Sequence, residues 1–204
     1  MRYSEHKEKW CECRECGLCE QRQNVVLARG MLPASVLFVG EAPGESEDAI
    51  GEPFVGTSGR LLQYDILPEA QRLAGDFRYI ITNLVCCVPW ENKLACSVRD
   101  PLQEEIMACA SRLVEFFHIV KPEIIVALGA LSAKWTPRIV PEGYKDLHIL
   151  KLPHPAAISR IKTITQKLSV IHLCAVRIAT CVLALEENRY TGSRAEKLCK
   201  KGIV

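Results

Sequence analysis

Four short apolar runs, separated by segments with helical periodicity, dominate the pattern of this 204-residue chain. The runs fall at residues 36–39, 79–82, 123–128 and 147–152. Helical patterns occupy 101–120 and 165–187, and a shorter one ends near Trp135. Strands that alternate with helices favour a parallel sheet covered on both faces. The pattern therefore predicts one α/β domain over residues 1–187, a three-layer α/β/α arrangement with a four-stranded, mainly parallel sheet.

The overall composition narrows the class of protein. Hydrophobic residues make up 49% of the chain, which is enough for a core without disulfide bonds. The net charge is only +2, so any surface that attracts nucleic acid must be local. The first ten residues are polar and charged, unlike a signal peptide, and no apolar run reaches the length of a membrane span. These features predict a cytoplasmic protein that does not associate with membranes.

The last segment, residues 188–204, differs from the rest in its charge. It carries five basic residues, which are Arg189, Arg194, Lys197, Lys200 and Lys201. Such a basic tail is a candidate for disorder and for nonspecific attraction to phosphates.

A long polar loop follows the first apolar run and joins it to a helical pattern. Glu41 and Glu47 come soon after the strand, Phe54 stands between a proline and a glycine-rich turn, and Ser58 lies within that turn. Open α/β sheets bind ligands at the carboxyl ends of their strands, and long loops inside compact domains are usually functional. An ordinary surface loop is the alternative. The glycine spacing excludes a P-loop and a dinucleotide-binding fingerprint.

Two further polar residues stand where apolar runs end. Asn83 follows the second run, and His154 lies between Pro153 and Pro155 after the fourth. An Asn at a strand end is often a turn former, and a His in a turn often has no role. An amide, however, offers both a donor and an acceptor, and a histidine between two prolines is rigidly presented. Both residues are therefore candidate site residues.

Eleven cysteines are many for an intracellular chain, and several of them cluster. Cys13 and Cys16 form a C-x-x-C pair, Cys87 follows the second apolar run, and Cys109 lies on the predicted helix 101–120. That helix should begin with Asp100 as its N-cap and Pro101 in its first position. Cys109 falls on the apolar face, so it is also a candidate core residue. Clustering in a reducing compartment favours a metal site over disulfides.

The remaining cysteines leave the choice of ligands open. Cys11, Cys19 and Cys86 are neighbours of the candidate ligands. The distal cysteines Cys174, Cys181 and Cys199 are expected to be core or tail residues.

Two motifs in the long loop carry a resemblance to a known family. Gly-Glu-Ala-Pro-Gly at 40–44 is followed at 51–62 by Gly-x-Pro-Phe-Val-Gly-x-Ser-Gly-x-Leu-Leu. Together with Asn83, the His-Pro-Ala sequence at 154–156 and the C-x-x-C pair, these motifs resemble the family 4 uracil-DNA glycosylases, the iron–sulfur type. The resemblance extends from Cys13 to about Glu187, and it implies the uracil-DNA glycosylase type of sheet.

The resemblance implies chemical roles for the residues at the sheet edge. Phe54 would stack on a uracil flipped out of DNA, and Asn83 would read its edge. His154 would donate a hydrogen bond to the uracil carbonyl as the base departs. Glu41 or Glu47 would assist the attacking water or the sugar cation, and the region of Glu47 would crowd a thymine methyl group.

The resemblance also implies contacts with DNA and with a metal cofactor. Ser58 and Arg160 would lie near phosphates, and Ile158 would be the wedge that opens the base stack. The implied cofactor is a structural [4Fe–4S] cluster, with zinc as the less favoured alternative. Its ligands would be Cys13, Cys16, Cys87 and Cys109. Arg22 matches the family pattern C-x-x-C-x-x-x-x-x-R and would serve a phosphate or the cluster segment.

The implied activity is the monofunctional hydrolysis of the N-glycosidic bond of deoxyuridine in single- or double-stranded DNA, by a monomer, in base excision repair. Two basic residues that the family usually carries beside Cys87 are absent here. The alternative is therefore a noncatalytic DNA-binding or replication-associated protein that keeps the fold and cluster. A weaker alternative is an enzyme that acts on free nucleotides.

Overall fold

The computed structural model describes residues 1–144 and 147–191 of the chain. Its strands are β1 (Ala28–Gly30), β2 (Val36–Gly40), β3 (Tyr79–Asn83), β4 (Trp90–Asn92), β5 (Ser97–Val98), β6 (Ile124–Leu128) and β7 (Ile149–Leu152). Its helices are α1 (Tyr3–Trp10), α2 (Glu45–Ile50), α3 (Thr57–Leu61), α4 (Leu67–Ala74), α5 (Gln103–Val120), α6 (Ala130–Ile139), α7 (Pro155–Ser159) and α8 (Ile164–Thr191). A π-helical turn, Leu62–Ile66, joins α3 to α4.

Five strands form the central sheet in the order β1-β3-β2-β6-β7. The four predicted strands are confirmed, and they run parallel to one another. The sheet also contains β1, which the apolar pattern did not reveal and which pairs antiparallel with β3 at one edge. Every residue of β2 and β6 is buried, which explains their continuous apolar sequences. The carboxyl ends of the parallel strands therefore meet along one edge.

Helices cover both faces of this sheet and confirm the three-layer arrangement. On one face, Phe38 and Val126 pack with apolar residues of α4 and α8. On the other face, Leu37 and Ile125 pack with α5 and α6, including Phe116. Side chains alternate along each strand, so neighbouring residues of one strand supply the two halves of the core.

The start of α5 differs from the prediction, because Asp100 is not its N-cap. The helix begins at Gln103 with Leu102 as the N-cap residue. Glu105 supplies the capping group, since its Oε2 accepts a hydrogen bond of 2.7 Å from the Leu102 N–H. Arg99 holds the same carboxylate with two hydrogen bonds of 2.7 and 2.9 Å. Asp100 and Pro101 thus stand in a connection before the helix and line the pocket described below.

The last described helix is longer and more apolar than the sequence pattern indicated. α8 continues to Thr191, beyond the predicted end at Glu187. Its segment Ile164–Asn188 contains an 18-residue window with a mean hydropathy of 2.1, so the expectation that no stretch could span a membrane by length and composition is wrong. This helix packs against α4 and the sheet and contributes to the core. Residues 192–204, most of the predicted basic tail, and Cys199 lie outside the described residues.

Candidate active site

A pocket of about 390 Å³ opens at the edge where the parallel strands end. That volume lies in the range of sites for small ligands. Seven of the eight noncysteine residues proposed from the sequence line this pocket, namely Glu41, Glu47, Phe54, Ser58, Asn83, His154 and Arg160. They come from three separate segments that only the fold brings together. The exception is Ile158.

Phe54 forms one wall of the pocket and is held in an uncommon backbone conformation. Its φ is 58°, and its side chain is buried. Gln63, in the π-helical turn, donates a hydrogen bond of 2.6 Å to the Phe54 carbonyl. A Cβ on Gly59 would lie 2.0 Å from the same oxygen. A left-handed conformation costs about 1–3 kcal/mol in a nonglycine residue and persists where the surroundings determine it, which is frequent at functional sites.

Gly40, the last residue of β2, leaves room for two of these side chains. A Cβ at this position would lie 2.3 Å from Asn83 Oδ1 and 2.6 Å from Phe54 Cζ. No side chain fits at that distance, so the glycine allows the amide and the ring to meet over the strand end. The lack of space for a side chain therefore explains why the first residue of the Gly-Glu-Ala-Pro-Gly motif is a glycine.

Asn83 presents an unsatisfied acceptor to the pocket. The residue is 1% exposed, and its Oδ1 has no hydrogen-bond partner among the described residues. Its main chain, in contrast, is held firmly, because Arg112 Nη2 donates a hydrogen bond of 2.6 Å to the Asn83 carbonyl. Buried polar atoms are normally paired, and an exception in a pocket wall points to a ligand. A planar group with an N–H beside a carbonyl would satisfy this amide.

His154 is the N-cap residue of α7, and this fixes the position of its proton. Its Nδ1 accepts a hydrogen bond of 3.2 Å from the Ala156 N–H, so the proton of the neutral ring is on Nε2. Burial lowers the pKa of His154 below its ordinary value of 6.5, with a further contribution from Arg160, while Asp100 and Glu47 oppose the change. The ring centroid lies 6.2 Å from that of Phe54. The site thus contains a neutral N–H donor beside an aromatic wall.

Glu41 combines partial burial with a contact to a helix N-terminus. Its Oε1 accepts a hydrogen bond of 2.9 Å from the Leu131 N–H in the first turn of α6. Burial raises the pKa of Glu41 above its ordinary value of 4.5, although this hydrogen bond acts against the rise. A Cβ on Gly129 would lie 2.3 Å from the same carboxylate oxygen and 3.1 Å from His154 Cβ. The glycine thus keeps the acid and the histidine close together.

The Glu47 carboxylate binds main-chain N–H groups of its own loop. One carboxylate oxygen accepts from the Gly44 N–H at 3.1 Å, and the other accepts from the Gly56 N–H at 2.7 Å. The carboxylate therefore ties together the two ends of the segment that carries Phe54. These contacts favour a role in shaping the pocket over one in the reaction.

Ile158 does not have the surroundings of a wedge, and this part of the prediction is wrong. Its side chain is 1% exposed and belongs to the hydrophobic core beside Ile178 and Leu152. A residue that enters a base stack must project from the surface. In α7 the exposed neighbour is Ala157, whereas Ile158 anchors the short helix to the core.

One wall of the pocket lies outside the segments that the sequence predicted. Val98, Arg99 and Asp100 line it, at the junction between the β4–β5 hairpin and α5. The hairpin strands have three and two residues, which is too short for a reliable alternation. No motif in the sequence marked this segment, and Asp100 had been interpreted as a helix cap.

A second pocket contains the four proposed metal ligands. Cys13, Cys16, Cys87 and Cys109 all line it, together with Cys86. Arg22 Nη1 donates to Cys87 Sγ at 3.5 Å, which favours the cluster segment over a phosphate as the partner of this arginine. Cys11 and Cys19 do not line this pocket, and Cys174 lies in the core on the opposite face of the sheet. Several thiols facing a guanidinium suit a metal cluster bound through thiolates.

The cysteine side chains do not have the compact arrangement of a single-ion site. Over residues 1–144 and 147–191, no group of three His, Cys, Asp or Glu side chains converges on one ion position. A tetrahedral zinc ion holds all its thiolates at about 2.3 Å, so its ligands must lie close together.

The parallel sheet, the pocket at its carboxyl edge and the Asn, Phe and His side chains define a protein of the uracil DNA glycosylase superfamily, whose sequence profile matches residues 29–172. A Type-4 uracil-DNA glycosylase from Sulfurisphaera tokodaii is 38% identical over 168 residues, which cover 74% of this chain and 73% of that protein. The Archaeoglobus fulgidus protein is 33% identical over 163 residues, covering 72% and 77%. This chain therefore belongs to the Type-4 uracil-DNA glycosylases.

A solved structure supports the assignment of the fold. The solution NMR structure of a candidate uracil DNA glycosylase from Methanosarcina acetivorans superposes with a TM-score of 0.50 and covers 76% of this chain and 96% of its own. The two sequences are 11% identical, so the similarity concerns the fold alone.

Proposed function

We infer that this chain hydrolyses the N-glycosidic bond of deoxyuridine in DNA, releasing uracil and leaving an abasic site. The observation that carries this inference is the unpaired Oδ1 of Asn83, which is buried in a pocket that Phe54 and His154 also line. Uracil has an N–H and a carbonyl side by side on the edge that such an amide contacts. Cytosine offers a different pattern at that edge and would leave a polar group unpaired.

A base inside a duplex cannot reach this pocket, so the nucleotide must leave the stack before it reacts. Phe54 supplies the flat apolar surface for the flipped ring. Glu47 keeps the Phe54 loop in shape through its contacts with Gly44 and Gly56. Arg160 and Ser58 also line the pocket, and they are our candidates for phosphate contacts.

The reaction requires stabilisation of two developing charges. As water adds to C1′ of the deoxyribose, the bond from C1′ to the base breaks and its electron pair leaves on uracil. The Nε2–H of His154 donates to the uracil carbonyl that gains this charge, and one such donor commonly contributes about 3 kcal/mol. Glu41 accepts the proton of the water, a role that suits a carboxylate whose pKa is raised by burial.

The cysteine pocket fits a metal cluster, and we propose a [4Fe–4S] cluster held by Cys13, Cys16, Cys87 and Cys109. Its contribution is structural: when bound, it ties the N-terminal segment to the end of β3 and to α5. Zinc also binds four thiolates, and it is the less favoured occupant because the family resemblance implies an iron–sulfur cluster.

The substrate form and the cellular context follow from this proposal. The partner is uracil-containing DNA, single- or double-stranded, and the active form is a monomer. The enzyme works in base excision repair inside the cell, in the cytoplasm with the DNA. The basic residues of the tail would add sequence-independent attraction to phosphates.

The first test uses anaerobically purified protein and a labelled oligonucleotide with one uracil, followed by alkali. We expect strand cleavage at uracil and none in matched oligonucleotides with thymine or cytosine. Protein that retains its metal and binds the same DNA without cleavage would instead support the noncatalytic alternative. Release of uracil from free deoxyuridine, with no cleavage of DNA, would support the nucleotide-processing alternative.

A further inference from the structure

Arg112 on α5 lies between the cysteine pocket and the strand that carries Asn83. Its side chain is 1% exposed. Nη1 donates to Thr82 Oγ1 at 2.9 Å, and Nη2 donates to the carbonyls of Asn83 and Leu84 at 2.6 and 3.0 Å. On its other side the guanidinium lines the cysteine pocket beside Cys109, and its Nε has no hydrogen-bond partner among the described residues. One side chain therefore touches both the proposed metal site and the residue that reads the base.

The charge of Arg112 has no carboxylate partner among the described residues. Its hydrogen-bond acceptors are two carbonyls and a hydroxyl. A guanidinium does not lose its proton in proteins, and a buried charge is costly unless an opposite charge compensates it. The groups that can supply negative charge here are the cysteines, once a metal has converted them to thiolates. The buried arginine is thus suited to an occupied cysteine site.

The segment just after β3 is held from two sides. The N–H groups of Leu84 and Val85 donate to the carbonyls of Gly40 and Glu41 at 3.0 and 3.3 Å. On the other side, Arg112 Nη2 donates hydrogen bonds to the carbonyls of Asn83 and Leu84. The direction of the Asn83 amide therefore depends on β2 on one side and on Arg112 on the other.

We propose that Arg112 is a positioning residue that couples occupancy of the cysteine site to uracil recognition. The metal-bound thiolates fix the guanidinium, and the guanidinium fixes the main chain of Asn83 so that its amide faces the base. The proposal rests on the proposed function, because it assumes that Asn83 reads uracil. The occupied metal site would then have two roles, which are to hold the N-terminal segment and to position Asn83.

The test compares Arg112→Met with the wild-type protein by direct binding, without catalysis. Free uracil and an oligonucleotide with an abasic site serve as the two ligands, because the first reports only on the base pocket and the second only on the DNA backbone. Metal content is measured for each preparation, and binding is corrected to the metal-loaded fraction. We expect at least a tenfold loss of uracil affinity in Arg112→Met, with unchanged affinity for the abasic oligonucleotide.

Equal uracil affinity in the metal-loaded fractions of the two proteins would overturn the proposal. If Arg112→Met retains no metal, the mutual dependence of the arginine and the thiolates is supported, and Thr82→Val decides the remaining step. That variant removes one acceptor of Arg112 without touching the cysteines. Reduced uracil affinity in metal-loaded Thr82→Val supports the coupling, and wild-type affinity overturns it.

Two further measurements separate this proposal from the proposed function. Wild-type protein that neither binds free uracil nor cleaves uracil DNA would refute the function itself, whatever Arg112 does. Wild-type protein that binds uracil should lose this affinity when the metal is stripped, while it keeps affinity for the abasic oligonucleotide. Uracil affinity that survives removal of the metal would refute the coupling alone.

Discussion

At the scale of single residues, His154 illustrates how the local structure selects one chemical form. The Ala156 N–H binds Nδ1, and burial disfavours the charged ring, so the neutral form with Nε2–H is present at neutral pH. The sequence predicted this residue because two prolines flank it. It could not predict the tautomer, which depends on the turn of α7.

Replacement of this donor should affect the reaction more than binding. We expect His154→Ala to lower kcat for uracil release by about 10²- to 10³-fold, the usual effect of removing one donor to a developing oxyanion. Affinity for uracil DNA should stay close to that of the wild type. His172→Ala is the matched control, since His172 lies on α8 at the surface. Wild-type turnover in His154→Ala would remove this residue from the mechanism.

The amide of Asn83 sets a second prediction, which concerns selectivity. In Asn83→Asp, an oxygen replaces the NH2 group through which the amide donates hydrogen bonds. Burial would favour the protonated form of the new carboxyl group. We expect weaker excision of uracil and a higher ratio of cytosine to uracil excision, measured on matched oligonucleotides. The control is Asn24→Asp, at a residue that contacts Asp48 away from the pocket. Unchanged excision of uracil would mean that another group reads the base.

The expected pH dependence of uracil release follows from opposite pKa shifts of His154 and Glu41. Burial lowers the pKa of His154 below 6.5 and raises the pKa of Glu41 above 4.5, and the proposed working forms are the neutral imidazole and the carboxylate. Activity should fall toward acid, as the His154 ring gains a proton and the Glu41 carboxylate becomes the neutral acid. The depressed pKa of His154 also favours the folded state above the unfolded pKa, and that contribution is lost toward acid.

A pH–rate profile of uracil release tests this expectation. The wild type should lose activity with two protonations on the acid side, and Glu41→Gln should retain only the one due to His154, at a lower plateau. Unfolding measured over the same range separates loss of stability from loss of chemistry. A profile of Glu41→Gln with the wild-type shape would exclude Glu41 as the proton acceptor.

At the scale of secondary-structure elements, α7 shows why spacing along the chain is a poor guide to a DNA contact. Ile158 follows His154 by one turn, and this spacing suggested a wedge. The structure turns that side of α7 toward the core, where Ile158 packs with β7 and α8 residues. Which side of a five-residue helix is buried depends on its neighbours in space, and the sequence of the helix does not contain that information.

The burial of Ile158 gives an element-scale prediction. Ile158→Ala should lower the free energy of unfolding by about 2–5 kcal/mol, as large-to-small changes in cores usually do. Leu168→Ala on the exposed side of α8 is the matched control and should have little effect, because Leu168 is 56% exposed. Chemical denaturation provides the measurement. A stable Ile158→Ala variant with impaired base flipping would restore the wedge interpretation.

The same limits explain which elements the sequence revealed. The four parallel strands have four or five residues each, lie within the apolar runs and were predicted within a few residues. β1, β4 and β5 have two or three residues each, so they show no pattern. The start of α5 was misplaced because Asp100–Pro101 is a good helix start by composition, whereas Glu105 and Arg99 fix a later one.

At the scale of the whole molecule, the two pockets share the segment after β3. Asn83 faces the base pocket, and Cys86 and Cys87 face the cysteine pocket. The N-terminal segment is joined to α2 through Asp48, whose Oδ1 accepts from the N–H groups of Gln23 and Asn24 at 2.9 and 3.1 Å. The sequence suggested both sites separately. It gave no sign of their connection, because Arg112 resembles an ordinary surface arginine until the helix is packed.

The ligand set is the prediction that concerns the molecule as a whole, because the four proposed cysteines come from three distant parts of the chain. Cys→Ser changes at positions 13, 16, 87 and 109 should each lower metal content and thermal stability, since each removes one thiolate and frees part of the N-terminal segment. Cys86→Ser, which changes the remaining thiol of this pocket, should retain the metal.

Cys174→Ser is the matched control, because this thiol is buried in the core on the other face of the sheet. Iron, sulfide and zinc are quantified in each anaerobic preparation, together with the melting temperature. Iron and sulfide in equal amounts would support a [4Fe–4S] cluster, and zinc alone would support the alternative metal. Loss of the metal in Cys86→Ser, with retention in any of the four proposed ligand variants, would replace that ligand by Cys86. The guanidinium of Arg112 would then face a different set of thiolates, and the coupling to Asn83 would have to be measured again in that variant.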